Sequence, residues 1–179
     1  MDYKYYDAIA KGYDKLHSEE QDAKFSAILN ELVKYGLNKN SDLLDIGCGT
    51  LRSFDFFPCE VFGIEPSKEM AKQHPEYKEL IRKGKLIICG VENIMNCFKQ
   101  KKFDFIVSIT AAHHFKDKEK ALSDIKKRLK NKGTVAFSLL KNTDKEYEKY
   151  MKKHFIINKI ISPQKNQKDT IIICSNKTL

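Results

Sequence analysis

The sequence predicts one α/β domain: a doubly wound, mostly parallel seven-stranded sheet with helices on both faces and a C-terminal antiparallel hairpin. Three observations carry that prediction. The runs LLDI, LIIC and FDFIVSI are apolar on both faces, as strands buried between two helical layers must be. They alternate with segments whose apolar residues recur at helical spacing, which implies right-handed crossovers between parallel strands. The first run, SDLLDIGCGTLR (residues 41–52), stops abruptly on glycines, as a strand does where a ligand meets its carboxyl end.

Each element follows in order. Ser18-Glu-Glu-Gln21 has the form of a helix capping box, after which Phe25, Ile28, Leu29, Leu32 and Val33 keep helical spacing up to a stop at Gly36. Leu43 to Ile46 is the first strand and Val61 to Ile64 the second. Ser67 is an N-cap for a helix that Pro75 interrupts or restarts. Lys85 to Cys89 and Phe103 to Ile109 are the third and fourth strands. Ala121, Leu122, Ile125 and Leu129 mark a helix that Lys132-Gly133 ends, and Thr134 to Leu140 is the fifth strand. A polar helix near 144–153 then leads to FIINKIIS and DTIIIC, joined as a hairpin by PQKNQK. No repeat, low-complexity tract or linker divides the chain, so one domain over 1–179 is expected, with 1–40 a helical lid segment and 41–179 the sheet core.

Composition bounds the function. With 179 residues, 41% apolar and 32% charged, the chain can bury a core and is not of disordered composition. No apolar run approaches the roughly 20 residues that span a bilayer, and MDYKYYDAIAKGYD lacks the apolar core of a signal peptide, so the expected location is cytoplasmic. The five cysteines form no CxxC pair and have no histidine at metal spacing, which reads as reduced, buried thiols and no metal site. The net charge of +9 admits RNA or another polyanion as a partner. Runs such as KDKEKALSDIKKRLKNK, with acids beside lysines, equally suit solvated helix faces.

Glycine in Asp45-Ile-Gly-Cys-Gly49 permits positive φ and removes the Cβ that would block a ligand. A nicotinamide site would require a third glycine where Arg52 stands, and no GxxxxGK[ST] is present for a P-loop. Glu65 ends the second strand, where a carboxylate can accept two hydrogen bonds from a ribose diol and so select a nucleoside.

DLLDIGCGT, VFGIEPSKEM, FDFIVSITAAHHFKD and ALSDIKKRLKNKGTVAFS, in that order, resemble the class I S-adenosylmethionine-dependent methyltransferases, and among them the methyltransferase type 11-like domains. YYDAIAKGYDKL is similar to the N-terminal segment that many of them fold over the cofactor, so the likeness covers nearly the whole chain. The resemblance implies S-adenosyl-L-methionine as cofactor and assigns roles. Asp45 would orient the glycine loop or hold the methionine amino group, Gly47 and Gly49 would pass along the methionine moiety, and Glu65 would take the ribose hydroxyls. Met70 and apolar neighbours would flank the adenine, and Val91 and Glu92 would read its edge. Tyr13, Cys48, Pro66 and Thr110 belong to the same implied cofactor site. Two positions depart from the family pattern. Leu51 replaces a usual third glycine, where its bulk would narrow the methionine site, and Gly90 stands where many relatives have an aspartate for the adenine amine.

Methyl transfer needs alignment and exclusion of water, and a base only if the nucleophile must lose a proton. His113 and His114 follow the fourth strand, where such a base would stand, with His114 the better placed of the two; packing and loop shape is the reading favoured for each. Tyr5, Tyr6 and Tyr13 suit either an aromatic lid or the packing of an amphipathic helix. The fourth strand is followed neither by [DN]PP[YF] nor by Pro-Cys, which argues against the amine and pyrimidine-carbon chemistries those runs serve. The acceptor wall must then come from residues 1–20, from 141–154, or from a second chain in a homodimer or with a partner subunit. The leading expectation is transfer to an O, N or S atom of a small molecule. The alternatives are a tRNA or other RNA methyltransferase, and a catalytically silent binding or scaffold subunit.

Overall fold

Seven strands form one sheet in the order β3-β2-β1-β4-β5-β7-β6 in the computed structural model, which describes residues 4–140, 143–165 and 168–176. Residues 141–142 of the 141–154 segment and 166–167 of the hairpin loop lie outside the described residues. β1 (Asp42–Ile46), β2 (Glu60–Ile64), β3 (Leu86–Ile87), β4 (Phe103–Ile109) and β5 (Leu129–Leu139) are mutually parallel. β7 (Thr170–Asn176) pairs antiparallel with both β5 and β6 (Phe155–Ile161), closing the hairpin expected from the sequence.

Alternate residues of each strand serve two cores. Leu43, Phe105, Val107 and Ile173 face Phe25, Ile28 and Leu32 of α2 (Tyr13–Lys34). Leu44, Ile106, Phe137 and Ile172 face Leu122 and Ile125 of α6 (Lys118–Arg128), with Tyr147 and Met151 of α7 (Asp144–His154) in the same cluster. α3 (Arg52–Phe56) follows β1, and α4 (Lys68–Ala71) and α5 (Tyr77–Arg82) follow β2, the last starting beyond Pro75 as a restarted helix should. The chain opens with α1 (Lys4–Ile9) and a 3-10 turn (Ala10–Gly12) that runs directly into α2.

Three local expectations are corrected. Ser18 does not cap a helix: α2 begins at Tyr13, and Ser18 lies inside it. β3 is two residues long, because only Leu86 and Ile87 find partners on β2. Lys132-Gly133 does not end α6, which stops at Arg128. The Arg128 guanidinium donates to the carbonyls of Lys99 (2.7 Å) and Met95 there, and Gly133 sits inside β5. A Cβ on Gly133 would come 2.7 Å from the Leu129 side chain and 3.0 Å from the Asp104 carbonyl oxygen, so glycine here serves a close approach rather than a helix stop.

α2 is bolted to the sheet by charge as well as by apolar packing. Lys24, only 1% exposed, donates to Thr110 Oγ1 at 3.0 Å and pairs with Glu20 at 2.8 Å and Asp169 at 3.2 Å. Asp169 in turn accepts from the Thr110 and Ser138 hydroxyls. A buried charge stripped of its partner is far more destabilising than the pair is stabilising. Lys24→Met is therefore expected to lower the unfolding free energy by about 3–5 kcal/mol, measured by urea denaturation. A change under about 1 kcal/mol would mean the pair behaves as a screened surface bridge.

Candidate active site

The carboxyl ends of β1, β2 and β4 border an open cleft with about 680 Å³ of empty space, its mouth included. Its floor is the β1 loop. Gly47 has φ +76° and Gly49 φ +55°, and a Cβ on Gly47 would stand 2.5 Å from that of Ala111 in the loop after β4. The β1 loop is tied to β2 by the Gly47 amide, which donates to the Ile64 carbonyl at 2.8 Å.

Glu65 fixes the rim. It is 6% exposed, with Oε2 accepting from the Gly49 amide and Oε1 from the Ser67 amide, both at 2.8 Å. Burial pushes its carboxyl up to about 7 against the pull of those two hydrogen bonds. Asp45 lies one step behind the loop, 2% exposed, with Oδ1 lacking any hydrogen-bond partner. Burial also pushes the Asp45 carboxyl up to about 7, and the nearby Glu65 charge adds to the effect.

Of the residues expected from the sequence, Tyr13, Gly47, Gly49, Glu65, Pro66, Met70, Val91, Glu92, Thr110 and His114 line the cleft together. Asp45, Cys48 and His113 do not. The Cys48 side chain is buried against Leu51 and Ala71, and His113 is half-buried beside His114, with Nδ1 unpartnered. Sequence reasoning missed the apolar wall of Ile46, Ile109, Ala111 and Phe115. Its one signal was position: Ile46 and Ile109 are the last residues of their strands.

Leu51 takes φ +67°, a left-handed conformation unfavourable to leucine, yet it does not enter the cleft. Its side chain is fully buried with Cys48, Leu80 and Leu86 beneath α4 and α5. Apolar burial thus offsets the backbone strain, and the expected narrowing does not occur, since Leu51 stays out of the cleft lining. Thr110 is likewise held at φ +53°, pinned by Lys24 and Asp169.

The N-terminal segment roofs the cleft. Asp7 accepts from Ser67 Oγ at 2.5 Å, and Asp14 accepts from Thr50 Oγ1 at 2.7 Å. The Tyr6 hydroxyl lies 2.6 Å from His114 Nε2, and Tyr13 stands 6.4 Å from Tyr6, ring centre to ring centre. Tyr5 is the exposed member of the three tyrosines. Burial and the adjacent His113 hold His114 at about 4, so its ring is neutral at pH 7. Among the described residues no lysine or arginine lines the cleft, a poor lining for phosphate and a suitable one for a cationic sulfonium. Among the described residues no group of three or more His, Cys, Asp and Glu could hold a metal ion, and no helix is long and apolar enough to cross a membrane.

The residues present fit S-adenosylmethionine: an unpartnered buried carboxylate oxygen on Asp45, a glycine cradle, and an acid at the nucleoside rim. The raised Asp45 and Glu65 values also carry a sign. The native state binds these protons more tightly than the unfolded chain, so their contribution to stability rises as pH falls from about 7 towards 4.5. His113 and His114, held below the usual histidine range, push the other way, so variants must be compared at each pH. Asp45→Asn is expected to be more stable than the unsubstituted chain at pH 8, with the advantage shrinking by pH 5. Equal unfolding free energies at both pH values would refute the buried-acid account.

Residues 44–137 match the methyltransferase domain family. An uncharacterized protein of Methanocaldococcus jannaschii is 29% identical over 174 residues, 93% of this chain but 62% of that protein, so the chain spans about three-fifths of that relative's length. Among solved structures, an S-adenosylmethionine-dependent methyltransferase from Clostridium acetobutylicum superposes with a TM-score of 0.72 at 16% identity, over 97% of this chain and 99% of that one. A methyltransferase solved in complex with the Haloferax volcanii Trm112 methyltransferase activator gives 0.69 at 14% identity, over 97% and 98%. With the sheet order, the glycine cradle and the acid at the end of β2 already in place, this match makes the chain a member of the class I S-adenosylmethionine-dependent methyltransferases.

Proposed function

We propose that this chain methylates an O, N or S nucleophile of a small-molecule acceptor and that His114 receives the proton the acceptor loses. The observation that carries this reading is the contact of Tyr6 with His114 Nε2 across the mouth of a cleft that, among the described residues, neither lysine nor arginine lines.

S-adenosylmethionine, when bound, supplies a methyl group on an electrophilic sulfonium. The protein's work is then orientation and exclusion of water. Gly47 and Gly49 leave room for the methionine portion, and Asp45, buried behind them, takes the loop-orienting role of the two expected for it. Glu65 keeps lone pairs for the ribose hydroxyls beyond the two amides it already holds. Met70 and Val91, both buried, flank the adenine, whose edge is read by backbone near Gly90 and Val91 in place of a carboxylate. Cys48 contributes its backbone alone. On the acceptor side, Tyr6, Tyr13 and His114 form the wall and shut out water, while His113 and Thr110 set the turn that presents His114.

The net charge of +9 favours a second reading, an RNA acceptor. That charge lies outside the cleft lining, so RNA would have to be gripped by the surface around it or by a partner subunit. The Trm112 activator bound to the Haloferax methyltransferase is one precedent for such a subunit.

Calorimetric titration with S-adenosylmethionine and S-adenosylhomocysteine tests the cofactor assignment. Saturable binding that weakens tenfold or more, about 1.4 kcal/mol, in Glu65→Gln is expected. No binding to the folded, ligand-free protein would point instead to a scaffold subunit. Once an acceptor is found, His114→Ala is expected to lower kcat by about 10²–10⁴ with cofactor affinity unchanged, and Tyr6→Phe by less. A salt-sensitive shift with bulk tRNA would move the assignment to RNA.

A further inference from the structure

Cys89 and Cys97 lie eight residues apart and place their sulfurs 2.9 Å from each other, inside van der Waals contact. A disulfide bond is about 2.05 Å long, so joining them needs less than about 1 Å of closure. Cys89 lines the cleft and is reached from it, whereas Cys97 is buried beneath, its thiol 3.3 Å from the Asn93 carbonyl oxygen. The cleft residues Gly90, Val91 and Glu92 all fall within the loop these two cysteines bracket.

We propose that Cys89 and Cys97 form a redox-active dithiol at the adenine end of the cleft, which a hydroperoxide oxidises to a disulfide that weakens cofactor binding. The oxidation balances. A thiolate of the pair forms an S–O bond as the peroxide O–O bond breaks, and the departing oxygen takes up a proton and leaves as water or alcohol. The neighbouring thiol displaces the sulfenic oxygen, the S–S bond forms, and a water leaves carrying that thiol's proton. Two electrons pass from the sulfurs to the peroxide oxygens.

The surroundings select this pair. A thiolate on Cys97 accepts a hydrogen bond from Cys89 and faces the Arg128 guanidinium, which lowers its pKa, while the remaining proton is held on Cys89. The other three cysteines are inert by comparison: burial pushes Cys59 up to about 11, Cys174 up to about 12 and Cys48 well above the usual thiol range. Closing the disulfide draws in the Cys89 wall and fixes the Gly90–Glu92 backbone proposed to read the adenine. The effect on the cofactor therefore rests on the function proposed above, whereas the oxidation does not.

The two parts have separate readouts. Both cysteines fall in the single tryptic peptide Leu86–Lys99. After treatment with stoichiometric hydrogen peroxide and alkylation, that peptide is expected to be lighter by two hydrogens and free of alkyl groups, and dithiothreitol is expected to reverse this. Two alkylated cysteines, or sulfinic acid on Cys89 alone, would overturn the dithiol. Calorimetry with S-adenosylhomocysteine is expected to give at least tenfold weaker binding for the oxidised protein, and no peroxide effect in Cys97→Ser. A disulfide that leaves affinity unchanged would overturn the control of binding. If the reduced protein binds no cofactor, the proposed function and the control of binding fall together, and the peptide mass alone decides the dithiol.

Discussion

The carboxylate of Glu65 is the interaction on which the cleft depends. It is nearly buried, yet it holds the amides of two different loops, Gly49 after β1 and Ser67 at the start of α4. That clamp, together with the packing of Cys48 and Leu51 against Ala71, sets the distance between the glycine loop and the helix that carries Met70. The clamp requires a desolvated acid, and Asp45 adds a second behind it. The chain's other buried acids, such as Asp169, Asp124 and Glu31, pair with lysines, whereas these two lie beside the cleft, where desolvated acids mark a candidate binding site.

The N-terminal segment is part of the same device. Asp7 reaches the Ser67 hydroxyl, Asp14 reaches Thr50, and Asp22 pairs with Arg52, so three acids along one face of α1 and α2 grip the loops that surround the cleft. Tyr6 completes the roof at His114. Further along α2, Lys24 extends the connection to Asp169, next to β7, and to Thr110 at the end of β4. The helix over the cleft, the turn that presents the histidines and the C-terminal hairpin are thereby one hydrogen-bonded unit. Movement of the roof to admit a ligand would have to begin on the α1 side of this unit, where the contacts are single and partly exposed.

Backbone strain falls at two places among the described residues, the loops beside the cleft and Phe98-Lys99 ahead of β4. Beside the cleft, Leu51 and Thr110 both occupy the left-handed region without being glycine, the first fully buried and the second partly so. Leu51 is held by apolar packing and Thr110 by a buried ion pair. The first keeps a bulky side chain away from the ligand side, and the second brings Ala111 against Gly47, closing the floor.

The sequence alone determined much of this. Apolar runs of strand length, spaced by helical periodicity, determined the sheet, because a strand covered on both faces has no other composition. Gly47, Gly49 and Glu65 were legible for a related reason: close backbone approach and a buried acid at a strand end are chemical demands that few residues meet. Other features depended on contacts between residues distant in the chain, and only the tertiary structure decided them. Gly133 looks like a helix stop until Leu129 and Asp104 are seen against it. Leu51 looks like an obstruction until its side chain is found turned into the core under α5. Cys89 and Cys97 are too widely spaced for any dithiol motif and meet only through the fold of the loop after β3. Periodicity and spacing report local geometry, and these three positions answer to neighbours that local geometry does not choose.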